Sequence, residues 1–165
     1  MEAGDWDGAI ASFQDVLLVN PQHTPSHLSL GLIYARKKEL NTAIESLTQA
    51  VEIDPGLIPG HLLLGQVYTE KKQYDKAKLS YERVITLQPG YPGGYYLLGQ
   101  LYQNEGDVIK AVELHRIAVS LPGDLPEKKQ AHAALDLMKK NAGVFFETGK
   151  QRLREVWRVQ GALWS

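Results

Sequence analysis

The sequence predicts an all-α fold, a right-handed superhelical solenoid of stacked antiparallel helix pairs, and three observations carry that prediction. Proline recurs at a fixed interval of 34 residues, at Pro21, Pro55 and Pro89. The blocks between these prolines superpose without gaps, "HLSLGLIYARKKELNTAIESLTQAVEIDP" over "HLLLGQVYTEKKQYDKAKLSYERVITLQP", and "YYLLGQLYQNEGDVIKAVELHRIAVSLP" follows in the same register. Within each block a small residue alternates with large apolar ones at helical spacing. Self-similarity at such a period marks an array of helix pairs, none of which buries its apolar face alone.

The elements follow in order. Residues 1–23 hold "GDWDGAIASFQDVLLVNP", in which Trp6, Ala9, Phe13 and Val16 align with Leu40, Ala43, Leu47 and Ala50. This is a second helix without its first, so the chain is expected to start in mid-repeat and to be a fragment of something longer. Three full repeats span 24–57, 58–91 and 92–123. Their first helices carry Leu30-Gly31 with Tyr34, Leu64-Gly65 with Tyr68, and Leu98-Gly99 with Tyr102. Their second helices carry Ala43/Leu47/Ala50, Ala77/Tyr81/Val84 and Ala111/His115/Ala118. Glycine lets the second helix approach the first closely, and tyrosine fills the wedge one turn later. Thr24 before Pro25 reads as a helix cap followed by proline in the first turn, while Pro55-Gly56 and Pro89-Gly90 close second helices.

Residues 124–165 are less regular. "LPEKKQAHAALDLMKK" sets Ala131, Ala134, Leu135 and Met138 on one helical face. After an insertion of about three residues at "KNAGV", Phe146, Gly149, Leu153, Val156 and Val159 repeat the spacing of earlier second helices. This segment is expected to be a degenerate fourth repeat whose helices cap the stack. Trp157 falls at an apolar core position, and Trp164 lies beyond the repeat.

The chain resembles the tetratricopeptide repeat family, whose pattern places Leu-Gly-x-x-Tyr on a first helix, a small and a large residue on a second, and proline after it. The resemblance covers the three full repeats. It implies a superhelix with a concave surface built mainly from first helices, used to bind a protein or peptide segment. Transferred position by position, that surface comprises Leu28, Leu32, Ala35 and Arg36, then Leu62, Gln66, Thr69 and Glu70, then Tyr96, Gln100, Gln103 and Asn104. Leucines and Tyr96 would bury side chains of a ligand, and the amides of Gln66, Gln100 and Asn104 would pair with its backbone. One subfamily clamps the C-terminal carboxylate of chaperones with basic and asparagine residues. Here those positions hold Leu28, Leu32, Leu63, Gly93 and Leu97, so a chaperone tail is disfavoured as partner.

Composition narrows the remaining functions. There is no cysteine, which removes disulfides, thiolate metal sites and cysteine nucleophiles. No apolar run is long enough for a membrane span, and acidic residues stand where a secretion signal would carry basic ones, so a soluble chain of undetermined compartment is expected. The net charge of −1 argues against nucleic acid as a partner. That charge is uneven: residues 1–125 hold 10 Lys/Arg against 15 Asp/Glu, and residues 126–165 hold 8 against 4.

Catalysis and cofactors find no support. His27 and His61 sit in equivalent positions of successive repeats, so they are spaced about a helix diameter apart, roughly 10 Å, instead of converging on a metal. His115 stands at a core position, and His23 and His132 have no evident acidic partner. "GVFFETGKQ" imitates a phosphate loop but has five residues between its glycines, and Gln151 replaces the required hydroxyl. The expectation is therefore a non-enzymatic interaction scaffold without metal or cofactor, acting in assembly or regulation of a complex. Two rivals remain: the recognition arm of a larger modifying enzyme such as a glycosyltransferase, and self-association through the truncated first repeat.

Overall fold

The computed structural model describes residues 6–123 and 125–145, with side chains described as far as residue 141. Among the described residues the regular structure is helical throughout: α1 (Trp6–Val19), α2 (Thr24–Arg36), α3 (Leu40–Ile53), α4 (Ile58–Glu70), α5 (Tyr74–Leu87), α6 (Pro92–Glu105), α7 (Val108–Ser120) and α8 (Pro126–Phe145). Two compact units divide the chain, Met1–Pro89 and Gly90–Ser165.

In the first unit α2 pairs with α3 and α4 with α5, while α1 packs on α2 and α3 on α4, so the pairs stack. Proline in the first turn of α2 and α4 starts each first helix where a backbone N–H would have no partner. Thr24 is already helical, and His23 occupies the cap position, its Nδ1 2.8 Å from the Ser26 hydroxyl. The cap therefore lies one residue earlier than the Thr24-Pro25 pair suggests, because proline is accommodated at either of the first two helical positions.

The first helices end alike. Glu39 N–H donates to the Tyr34 carbonyl and Gln73 N–H to that of Tyr68, both spanning five residues. The residues just before, Lys38 and Lys72, take left-handed backbone angles with φ of 64° and 59°. This closure satisfies carbonyls that a helix end otherwise leaves unpaired. Each second helix then turns sharply back. Its entry is tied to the preceding repeat by Lys37, which donates to Asp7 at 3.0 Å, and by the equivalent Lys71, which donates to Asn41.

The core of this unit lies between paired helices. Ala43, Leu47 and Ala50 of α3 are fully buried, as are Ala77 and Val84 of α5, with Tyr81 nearly so. A Cβ on Gly31 would sit 2.5 Å from Leu47 Cγ, and one on Gly65 would sit 2.3 Å from Tyr81 Cε1. Both approaches are too short for any side chain larger than hydrogen. Tyr34, Leu40, Ile44, Val51 and Tyr68 pack around the cluster of Ala43, Leu47, Leu64 and Val67.

In the second unit α6 pairs with α7, and α8 packs against both. Gly106, with φ of 83°, takes the left-handed position, and Asp107 N–H donates to the Tyr102 carbonyl. Asp107 also caps α7 through its carboxylate, which accepts from Lys110 N–H at 3.1 Å. Ala131, Leu135 and Met138 form the buried face of α8, and with Ala111 and Val112 they make the core there. α8 runs on through residues 139–145, where an interruption at "KNAGV" was expected. No proline stops it, and a lone glycine within a helix costs only about 1 kcal/mol. The expected closing helix with Phe146, Gly149, Leu153, Val156, Trp157 and Val159, and the position of Trp164, lie outside the described residues.

Candidate functional site

The two first helices of the first unit, α2 and α4, run side by side and leave a cleft between them. It has a volume of about 350 Å³ and is lined by Leu32, Ala35, Arg36 and Lys38 on one wall and by Leu63, Gln66, Val67 and Glu70 on the other. On α4 these four residues follow the i, i+3, i+4, i+7 spacing of one helical face. The apolar side chains lie against the pair core through Leu63 and Val67, while the charged and amide groups stand at the open side.

The charged rim is organised by its neighbours. The Arg36 guanidinium lies 5.8 Å from the ring centre of Trp6 on α1, a cation–π contact that holds its stem against the stack. Lys38 and Glu70 form an ion pair of 2.7 Å from one wall to the other. Both partners are well exposed, so the pair orients the rim more than it stabilises the fold. Gln66 is exposed, with an amide that both donates and accepts. Beside this rim Lys37 is held as a cation above its usual range, chiefly by its hydrogen bond to Asp7 and then by Glu39.

Of the residues transferred from the family pattern, Leu32, Ala35, Arg36, Gln66 and Glu70 meet at this cleft. Leu28 packs against the core cluster, and Leu62 is half-buried on α4 one position before the cleft residue Leu63. Thr69 donates its hydroxyl to the Gly65 carbonyl at 2.8 Å and lies 3.5 Å from the Tyr81 hydroxyl. Tyr96, Gln100, Gln103 and Asn104 belong to α6 in the second unit. There Gln100 donates to the Tyr96 hydroxyl at 2.6 Å, and Gln103 is half-buried beside an exposed Asn104. Burial raises the phenol pKa of Tyr96. Sequence reasoning missed Lys38 and Val67 and named Leu63 only as a position of the absent carboxylate clamp; the i, i+3, i+4, i+7 spacing of Leu63, Gln66, Val67 and Glu70 was the available signal for the two apolar residues.

The histidines are placed otherwise. The Nε2 of His27 donates to the Pro21 carbonyl at 2.9 Å, and that of His61 donates to the Pro55 carbonyl at 3.1 Å. Each thereby ties a first helix to the proline that ended the preceding second helix. His115 is fully buried, and both ring nitrogens lack a hydrogen-bond partner. Its ring lies against Gly99 and 5.6 Å from the centre of the Tyr96 ring, and burial lowers its pKa to about 4. Among the described residues no group of three or more His, Asp or Glu side chains converges as metal ligands do, and no helix is long and apolar enough to cross a membrane.

Repeated helix pairs joined by the same left-handed turn, with a glycine at each pair contact, define a protein of the helical-repeat solenoid class. Tetratricopeptide repeat models match residues 1–58 and 92–121, and a TPR repeat model matches residues 65–106. The chain belongs to the tetratricopeptide repeat family. Among solved structures it is similar to a MamA crystal structure at 30% identity and a TM-score of 0.75, over 85% of this chain and 80% of that one. A second MamA protein structure aligns at 27% identity and a TM-score of 0.73, over 96% and 86% of the two chains. MamA from Desulfovibrio magneticus RS-1, at 21% identity and a TM-score of 0.73 over 96% and 88%, shares the fold. A comparison with curated proteins by sequence gives no significant match.

Proposed function

We propose that this chain is a non-enzymatic scaffold that takes a segment of a partner protein into the α2–α4 cleft. The observation that carries the reading is the cleft itself, an apolar floor of Leu32, Ala35, Leu63 and Val67 under a rim that offers two cations, a carboxylate and an amide. An apolar side chain of the ligand fills the floor, Gln66 pairs with its backbone, and Arg36 or Glu70 selects its flanking charge. Because α2 and α4 are fixed by buried glycine contacts, the surface is preformed and little ordering cost falls on binding. A random peptide library displayed on phage and selected on the chain supplies the probe. Selected peptides are expected to lose about tenfold or more in affinity with Leu32→Glu, equivalent to about 1.4 kcal/mol, and to bind Leu79→Glu unchanged. Leu79 lies on α5 and is 66% exposed. Equal binding of both variants would place the interaction elsewhere.

A further inference from the structure

The three charges on the α2–α4 cleft are not equivalent. Lys38 donates to the Glu70 carboxylate at 2.7 Å, so the one carboxylate among the described lining residues already holds a cation. This pair crosses from wall to wall where α2 and α4 end. Beside it, Lys37 is held by Asp7 at 3.0 Å and by Glu39 at 3.3 Å. Arg36 is left over: its guanidinium lies over the Trp6 ring, and among the described residues no carboxylate pairs with it. A cation in the last turn suits the helix dipole, but the repeat does not require one there. The positions equivalent to Arg36, each 34 residues on, are Glu70 and Asn104.

We infer that the segment taken into this cleft presents an apolar residue with an aspartate or glutamate beside it, and that Arg36 reads the acid. The inference rests on the scaffold reading proposed above and names the ligand chemistry of that same site. At about 350 Å³ the cleft is near the small end of ligand pockets, with room for one or two side chains and none for a whole helix. Stacking on Trp6 engages the face of the guanidinium and leaves its edge of N–H donors for a carboxylate, which the planar fork binds in two bonds. Lys38 and Glu70 are exposed, at 70% and 42% of their side chains, so little holds them together against a competing acid. Glu70 therefore opposes an acidic ligand, both by repulsion and by occupying Lys38. The acid belongs to a side chain within the segment and not to a chain terminus. Positions that hold a terminal carboxylate in chaperone-binding relatives are leucine or glycine here.

The probes are the phage-selected peptides, synthesised with amidated C-termini and titrated into the full chain. They are expected to carry Asp or Glu next to the apolar anchor and to bind more weakly as salt is raised from about 0.05 M to about 0.5 M. Arg36→Gln is expected to weaken them about tenfold, as loss of a charge partner at an interface does. Glu70→Gln is expected to tighten them about threefold, within the range of an exposed ion pair. Selection repeated on the Arg36→Glu chain is expected to return peptides with Lys or Arg in place of the acid, a change of preference that a purely structural role for Arg36 would not produce. Circular dichroism of each variant is expected to match that of the unaltered chain, since both side chains are exposed. Weakening by Glu70→Gln would overturn the inference, because the carboxylate would then be taking a ligand cation. Dependence on a free C-terminal carboxylate would overturn it too. Peptides with basic or uncharged flanks that still fail on Leu32→Glu would overturn it and leave the scaffold reading standing, whereas peptides indifferent to Leu32→Glu would remove both.

Discussion

At the scale of single residues, the pair contacts rest on the absence of a side chain at three glycines. A methyl on Gly65 meets Tyr81 carbons at 2.3 and 2.6 Å, and Tyr81 is itself only 2% exposed, so its ring has nowhere to go. A methyl on Gly99 meets His115 at 2.9 Å, a smaller intrusion. Overpacking of this kind costs about 1–3 kcal/mol. Gly65→Ala is therefore expected near the upper end of that range and Gly99→Ala nearer the lower end, read as loss of stability in urea denaturation. If the two variants unfold at the same denaturant concentration as the unaltered chain, helix approach does not depend on these positions. The contacts were legible in the sequence because small-against-large recurs with the repeat. The burial of His115 was legible too, from the register that places it with Leu47 and Tyr81. Its lack of any hydrogen-bond partner was not, since that depends on what α6 places around the ring.

At the scale of elements, the turn between paired helices is one structure made from two chemistries. Lys38, Lys72 and Gly106 stand 34 residues apart, and all three are left-handed, yet only glycine enters that region without strain. The lysines persist there because the backbone closure to Tyr34 and Tyr68 determines the turn around them. Lys72→Gly is expected to stabilise the first unit by up to about 1 kcal/mol, and Gly106→Ala to destabilise the second by about 1 kcal/mol. Opposite signs in thermal melts check the pair; the same sign for both would refute the shared-turn account. Nothing in "KKEL" or "KKQY" announces a left-handed lysine, and only the glycine at the equivalent point of "NEGD" hints at it. The cleft was partly hidden for a similar geometric reason. Each step along a helix turns about 100°, so Leu62 and its neighbour Leu63 point to different surroundings, and the structure puts Leu63 on the cleft wall.

At the scale of the whole molecule, the two units share a repeat but differ in what fills the pair contact, and that difference gives them different responses to acid. The first unit seats Leu47 and Tyr81, whereas the second seats a neutral imidazole with no partner for either nitrogen. The titratable group against that ring from α6 is Tyr96, with no charge at neutral pH, and α8 contributes Ala131, Leu135 and Met138 to the core of this unit. Folding thus holds His115 unprotonated, with its pKa lowered from 6.5 to about 4 by desolvation. The unfolded chain binds the proton first as pH falls, so the second unit keeps its full stability above about pH 6.5 and loses it progressively towards pH 4. At about 1.4 kcal/mol per pH unit across that interval the loss is on the order of 3 kcal/mol. His115→Leu places at this position the residue that Leu47 already provides in α3, and removes both unpaired nitrogens. Hydrogen exchange measured at pH 7 and pH 4.5 is expected to show amides of α6 and α7 losing protection in the unaltered chain, by a larger factor than amides of α3 and α5. In the His115→Leu chain that difference between the units disappears. Equal loss in both units of the unaltered chain, or its persistence in His115→Leu, would show that acid acts through the surface carboxylates instead of the buried imidazole.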